Sequence, residues 1–172
     1  LHNFKSVSHG KIDFNNDYPR GSIENGVDLY GVYGPNGSGK TAIIDACSMI
    51  RHLFVHGFLP EQASGFIKHN HSSSAVEIEF FVRVGEDQFL LLYTIEFASE
   101  CFFQKPVIKH ECLKYKYWDK DRQKFSPMQT LECFKRSDSG ETDMIKSLFT
   151  AQHRRQIEGV VKSDPQKSWL FN

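Results

Sequence analysis

The chain has no excess charge of either sign: 21 Lys and Arg stand against 21 Asp and Glu, for a formal net charge of zero. Such a balance provides none of the whole-molecule attraction that gathers nucleic acid or anionic membrane. A local basic patch stays open, but the total does not argue for one. Long apolar runs are absent as well. Nothing approaches the roughly 20 residues of a spanning helix, and no charged-then-apolar leader opens the chain, so no membrane partner is expected. Cysteine is sparse, with Cys47, Cys101, Cys112 and Cys133 far apart and no C-x-x-C pair. That spacing favours free thiols in a reducing compartment over a disulfide frame or a zinc knuckle, and a cytoplasmic location is expected. Internal repeats and low-complexity tracts are lacking too. The chain opens at Leu1 rather than Met, which predicts a piece of something longer.

What is present starts with size. The 172 residues suffice for one domain with a real core, and 15 phenylalanines predict broad, β-rich packing surfaces. The most informative stretch runs from Gly31 to Ile44 and contains G-x-x-x-x-G-K-T between Gly34 and Thr41. That is the spacing of a phosphate-binding loop. Gly34, Gly37 and Gly39 let the backbone take positive φ and approach a ligand closely. Consecutive N–H groups then form an anion nest, to which the following helix adds the positive end of its dipole. Lys40 brings a full charge to the outer phosphates. Thr41 offers a hydroxyl to Mg²⁺, a hard cation that prefers oxygen. The expected nucleotide contacts are therefore Gly34, Pro35, Asn36, Gly37, Ser38, Gly39, Lys40, Thr41 and Ala42, with Thr41 as metal ligand and ATP and Mg²⁺ as cofactors.

In chain order, Leu1 to Ser6 and Lys11 to Phe14 read as two short strands joined through Ser8-His9-Gly10. Residues 15–26 read as an exposed, turn-rich loop. Val27 to Tyr33 is nearly continuous in apolar character and reads as a strand buried on both sides that feeds the loop. From Gly39 to about Phe54 the period turns helical, with Ile43, Ala46, Cys47, Ile50, Leu53 and Phe54 on one stripe and Gly57 and Pro60 as the stop. Residues 61–74 are mostly polar and read as a flexible surface segment. A β-rich block over residues 75–136 follows. Val76, Ile78, Phe80, Val82 and Val84 alternate with polar neighbours, and Phe89, Leu91, Tyr93, Ile95 and Phe97 share a face. Pro106 to Trp118 and Gln129 to Arg136 complete an antiparallel meander whose charged hairpin tip is Asp119 to Lys124. Ser137 to Thr142 is a polar break. Residues 143–172 read as the start of a helical region, with Asp143 to Val161 helical and Met144, Ile145, Leu148 and Phe149 inward. Ser163-Asp164-Pro165 ends that helix, and Trp169-Leu170-Phe171 begins a further apolar element.

Several other constellations need weighing. A phosphate loop is normally completed by a strand ending in Asp, often Asp-Glu. Leu90 to Glu96 comes nearest, but it lacks the Asp and lies in a meander strand, so no catalytic residue is identified in this chain. Ser137-Asp138-Ser139-Gly140-Glu141 faintly resembles the serine-glycine signature of ABC-type ATPases, yet no Asp-Glu strand follows, which favours an ordinary turn. His52 and His56, four apart on a helix, have zinc-ligand spacing, though near a C-terminus such residues more often complement the dipole. His69-x-His71 follows in the next loop. His110-Glu111-Cys112 lies in a strand, where neighbours face opposite ways, which argues against shared ligation. His153-Arg154-Arg155 reads as a solvated helix face, with a nucleic-acid or partner contact as the alternative.

Leu1-His2-Asn3-Phe4-Lys5-Ser6, the loop form Gly34-Pro35-Asn36-Gly37-Ser38-Gly39-Lys40-Thr41 and its continuation Ala42-Ile43-Ile44-Asp45-Ala46 together resemble the N-terminal half of an SMC/RecF-like, ABC-type ATPase head. Within that group the chain is similar to bacterial AAA-family, OLD-like ATPases of abortive-infection and other phage-defence systems, which also follow the loop with a meander. The resemblance implies an α/β P-loop NTPase of ABC/SMC-head type, residues 1–172 being the N-terminal part of one ATP-binding domain. It implies an ATPase that hydrolyses Mg-ATP once completed by later elements and paired head to head in a homodimer or higher homo-oligomer. A nucleic-acid, toxin or nuclease effector is the implied output. Lys5 would occupy the place where the family puts an Arg or Lys near the phosphates, although Lys cannot make a bidentate fork. Gln152 and Gln156 are candidates for the family's glutamine loop. Alternative readings are a small-molecule or nucleotide kinase, a GTP-binding switch, and a binding and assembly module. The first is disfavoured by the residues before the loop strand and by the lack of an arginine-rich lid, the second by the lack of an Asn/Thr-Lys-x-Asp stretch.

Overall fold

One antiparallel sheet carries the chain, and a helix from the loop lies across it. The computed structural model describes residues 1–13, 31–99, 105–137, 142–146 and 150–171. The sheet order is β2-β1-β3-β4-β5-β7-β8, with the short β6 paired to β5. The strands are β1 (His2–Phe4), β2 (Val7–His9), β3 (Ser73–Val84), β4 (Asp87–Ser99), β5 (Pro106–Asp119), β6 (Lys124–Phe125), β7 (Gln129–Arg136) and β8 (Thr142–Lys146). The helices are α1 (Lys40–His56) and α2 (Ala151–Ser163).

The meander follows the alternation read from the sequence. Val76 pairs with Ile95 and Ile78 with Tyr93, and Ile95 pairs in turn with Glu111. Val76, Tyr93, Ile95 and Phe97 are buried on the face that α1 covers. Such a two-sided sheet needs one apolar face and one polar face. Arg83 and Val84 near the far end of β3, and the turn after them, are exposed.

Helix α1 runs from the loop lysine to a left-handed Gly57, whose N–H closes onto the Leu53 carbonyl at 2.8 Å. Glycine suits that position because it takes positive φ without a Cβ penalty. The buried residues are Ala42, Ala46, Met49, Ile50 and Leu53. The expected stripe is thus rotated: Cys47 is exposed, and Met49 takes the inward place. Spacing alone could not choose, because apolar residues occupy most of the helix circumference.

Four further expectations need correction. The first hairpin turns at Lys5-Ser6 rather than at Ser8 to Gly10, so β2 is Val7–His9. The polar segment after Pro60 is no loose surface loop. It forms a 3₁₀ turn over Glu61–Phe66 that buries Ala63, and Ile67 then bridges to Phe4. Asp143 is not helical: residues 142–146 add a strand beside β7, and the helix starts only at Thr150, whose side chain accepts from the His153 N–H. An unpaired edge on β7 outweighs weak helical periodicity. Leu148 and Phe149, expected inward, lie outside the described residues, as does the loop at 15–26. Of the strand expected over residues 27–33, only Gly31 to Tyr33 are described. They are irregular and exposed, and Tyr33 is 93 % exposed. None of the described strands pairs with them, and residues 27–30 lie outside the described residues.

The C-terminal residues return to the core instead of starting a new element. Trp169 is fully buried and stacks on Phe134 with ring centroids 5.3 Å apart. Its backbone N–H donates to Glu111 Oε2 at 2.7 Å and its indole N–H to Glu132 Oε1 at 2.9 Å. Tyr93 Oη and Ser168 Oγ donate to the other Glu111 oxygen. Burial pushes the Glu111 carboxyl above its usual value, and the donors around it pull the other way. Burial and the neighbouring Glu111 likewise hold the Tyr93 hydroxyl well above its ordinary value.

Candidate functional site

The loop from Gly34 to Thr41 sits where the β1–β2 turn meets the first turn of α1. Gly39 is the residue before the helix and has φ 87. A Cβ there would stand 2.7 Å from Val7 Cγ2, so both conformation and space demand glycine. Gly37, at φ 81, has open space around it and is needed for conformation alone. Lys40 folds back over the loop, its Nζ donating to the carbonyls of Gly34 and Pro35 at 2.6 Å each and to Ser38 Oγ at 3.4 Å. The first N–H groups of a helix have no partners within it; here the Ala42 N–H closes onto the Gly39 carbonyl at 3.1 Å.

A recess of about 180 Å³ opens beside this loop, lined by Asn36, Gly37, Ser38, Gly39, Lys40, Thr41 and Ala42 together with Lys5 and Ser6 from the hairpin turn. Eight of the ten positions singled out from sequence line it; the other two, Gly34 and Pro35, accept from Lys40 through their carbonyls. Two lysines line the recess, and among the described residues no carboxylate does. Lys5 is placed by its own backbone. It has φ 52, and its N–H donates to the Phe66 carbonyl at 2.6 Å while Lys68 N–H donates to Asn3. The segment read as loose is therefore what fixes the Lys5 turn. Lys5 Nζ is paired with Asp45 on α1. A lysine between a carboxylate and a phosphate-binding loop can serve either.

Other candidates fall away from this place. Glu96 accepts from Ser73 Oγ within the meander. His52 and His56 lie with ring centroids 4.4 Å apart and planes tilted by 48°, and burial followed by the charge of His56 lowers the His52 value. No third ligating side chain joins them among the described residues. His69 and His71 are exposed, as are Gln152, Gln156 and the run His153-Arg154-Arg155 on α2. Most of the signature-like stretch, residues 138–141, lies outside the described residues.

One grouping was missed. Glu111 does face the core, but His110 and Cys112 share the other face of β5, and Cys133 on β7 stands opposite Cys112. The signal was the i, i+2 spacing of His110 and Cys112. The partner strand could not be registered from sequence.

A glycine-rich loop opening a helix, a lysine closing it and a hydroxyl at the next position define a P-loop nucleotide-binding domain. The chain belongs to the AAA domain family, whose model matches residues 1–155. That membership makes it a P-loop ATPase-type domain, α/β in class with an antiparallel sheet. No curated protein and no solved structure matches the chain. No helix among the described residues is long and apolar enough to cross a membrane.

Proposed function

We propose that this chain is the ATP-gripping part of an ABC/SMC-type ATPase head. Gly34 to Ala42 bind the phosphates of ATP, Thr41 holds Mg²⁺, and Lys5 adds a second cation from the hairpin turn. The observation that carries this reading is the recess lined by both Lys40 and Lys5 and, among the described residues, by no carboxylate. The donor set fits both partners: backbone N–H groups and ammonium for phosphate, a hydroxyl for a hard cation. Thr41 would hold Mg²⁺, which would supply positive charge against the phosphates.

No described acid lines the recess, so the group that activates water comes from elsewhere, and head-to-head closure of two copies over ATP is the arrangement proposed to bring it. Use of that closure to switch a nucleic-acid-directed, toxin or phage-defence effector rests on the resemblance of the N-terminal and loop motifs. The test is light scattering of the full-length protein with and without Mg-ATP. ATP-dependent assembly that vanishes in Lys40→Ala supports the proposal. Assembly indifferent to ATP, or unchanged in the variant, contradicts it.

A further inference from the structure

The outer face of the sheet carries a second set of donors, unrelated to the phosphate loop. His110 and Cys112 are two apart on β5 and therefore point the same way. Cys112 and Cys133 are register partners on β5 and β7. The three ligating atoms lie within 4.8 Å of one another, and His110 Nε2 is 3.4 Å from Cys133 Sγ. A tetrahedral zinc ion, with bonds of about 2.3 Å to sulfur and about 2.0 Å to nitrogen, needs donors roughly 3.5–3.8 Å apart. One edge of such a tetrahedron is already in place, and small rotamer adjustments close the others.

We propose that His110, Cys112 and Cys133 form a Cys₂His site for a thiophilic divalent cation, zinc in the cell. Both sulfurs are buried, Cys112 3 % and Cys133 6 % exposed, while His110 is half-buried and gives a path in from solvent. Thiolate and imidazole donors select zinc over magnesium or calcium. Binding converts two thiols to thiolates: the cation gains two sulfur bonds and one nitrogen bond, and two protons pass to solvent. The metal centre is then neutral. Three protein ligands leave a fourth position for water. Glu96 pairs with His110 from β4 and so stands on the same face. A zinc tie between β5 and β7 would fasten the half of the sheet against which Trp169 packs.

The alternative chemistry for two adjacent thiols is a disulfide, and the experiment separates the two. Protein prepared without metal under air-free, reducing conditions is titrated with Co²⁺ and followed by absorbance. The proposal expects one equivalent per chain with a thiolate-to-cobalt charge-transfer band and tetrahedral visible bands, displaced by Zn²⁺. Cys112→Ser and Cys133→Ser each abolish the charge-transfer band or weaken Co²⁺ binding by more than tenfold, and His110→Asn shifts the visible bands. A Cys47→Ser, Cys101→Ser double variant keeps the spectrum. Absence of the band in the reduced wild-type protein overturns the proposal whether or not any variant folds. So does a band that survives both Cys112→Ser and Cys133→Ser, or a Cys112–Cys133 disulfide that re-forms in place of metal binding.

Discussion

Lys40 Nζ donates to the Gly34 carbonyl at 2.6 Å, so the loop's cation is held by neutral oxygens of the loop itself. Lys5, across the same recess, is held by the carboxylate of Asp45. Phosphate oxygens displace carbonyls readily, because a charged oxygen attracts an ammonium more strongly than a neutral carbonyl does. Displacing a carboxylate gains much less. On the proposed reading the two lysines would answer a nucleotide differently, one released at little cost and one in competition.

That difference gives opposite signs to substitutions at one ion pair. Lys5→Ala removes a charged donor, and at a half-exposed site this weakens ATP binding by about fivefold, or about 1 kcal/mol. Asp45→Ala frees Lys5 for phosphate and tightens ATP binding. A pair serving only to fasten the hairpin to α1 would move both variants in the same direction. Isothermal titration at low and high salt checks it, and both effects shrink as salt rises.

Gly39→Ala should destabilise the fold before any nucleotide is added. Left-handed backbone costs a Cβ-bearing residue about 1–2 kcal/mol, and the new Cβ would also collide with Val7. Urea unfolding should show a lower midpoint with an unchanged slope. Gly65→Ala is the control, since nothing lies within 4 Å of a Cβ there and stability should barely move.

The buried Glu111 makes stability depend on pH. Its carboxyl titrates above its usual value in the folded chain because burial disfavours the charge. A raised folded value means that the bound proton stabilises the fold fully below the unfolded value and that this contribution is lost as pH rises through the folded value. Unfolding free energy should therefore fall as pH climbs from about 4.5 toward the raised folded value. Glu111→Gln should flatten that slope, since the Tyr93 and Ser168 hydroxyls can turn to accept from the amide. Glu111→Leu should cost about 1–3 kcal/mol by stranding the Trp169 N–H. Equal slopes in wild type and Glu111→Gln would contradict this.

Trp169→Ala should cost about 3–5 kcal/mol, the usual range for emptying a buried tryptophan site. The family match ends at residue 155, whereas Val161 and Trp169 belong to the core cluster. A change below 1 kcal/mol in denaturant unfolding would show the tail to be a loosely attached flank.

The phosphate loop and the meander were legible for a local reason. The loop is a fixed-spacing motif, and the long strands alternate over seven or more residues against Gly85 and the charged tip at Asp119 to Lys124. Errors fell where tertiary partners decide. Thr142 to Lys146 became a strand because β7 offered an edge, and the Glu61 to Phe66 turn became ordered because the Lys5 N–H uses the Phe66 carbonyl and Ile67 bridges to Phe4. His110, Cys112 and Cys133 could not be joined without the register between β5 and β7. Lys5 was expected near the phosphates by resemblance alone; what places it beside the loop is its contact with Phe66, which no sequence pattern shows.

The central claim is that this loop binds ATP, and equilibrium titration of the purified protein with Mg-ATP tests it most directly, with Lys40→Ala and GTP competition alongside. Saturable binding of ATP, preferred over GTP and weakened at least tenfold in Lys40→Ala while the fold stays intact, is the predicted result. No binding by the folded wild-type protein, or equal binding by wild type and Lys40→Ala, would contradict it.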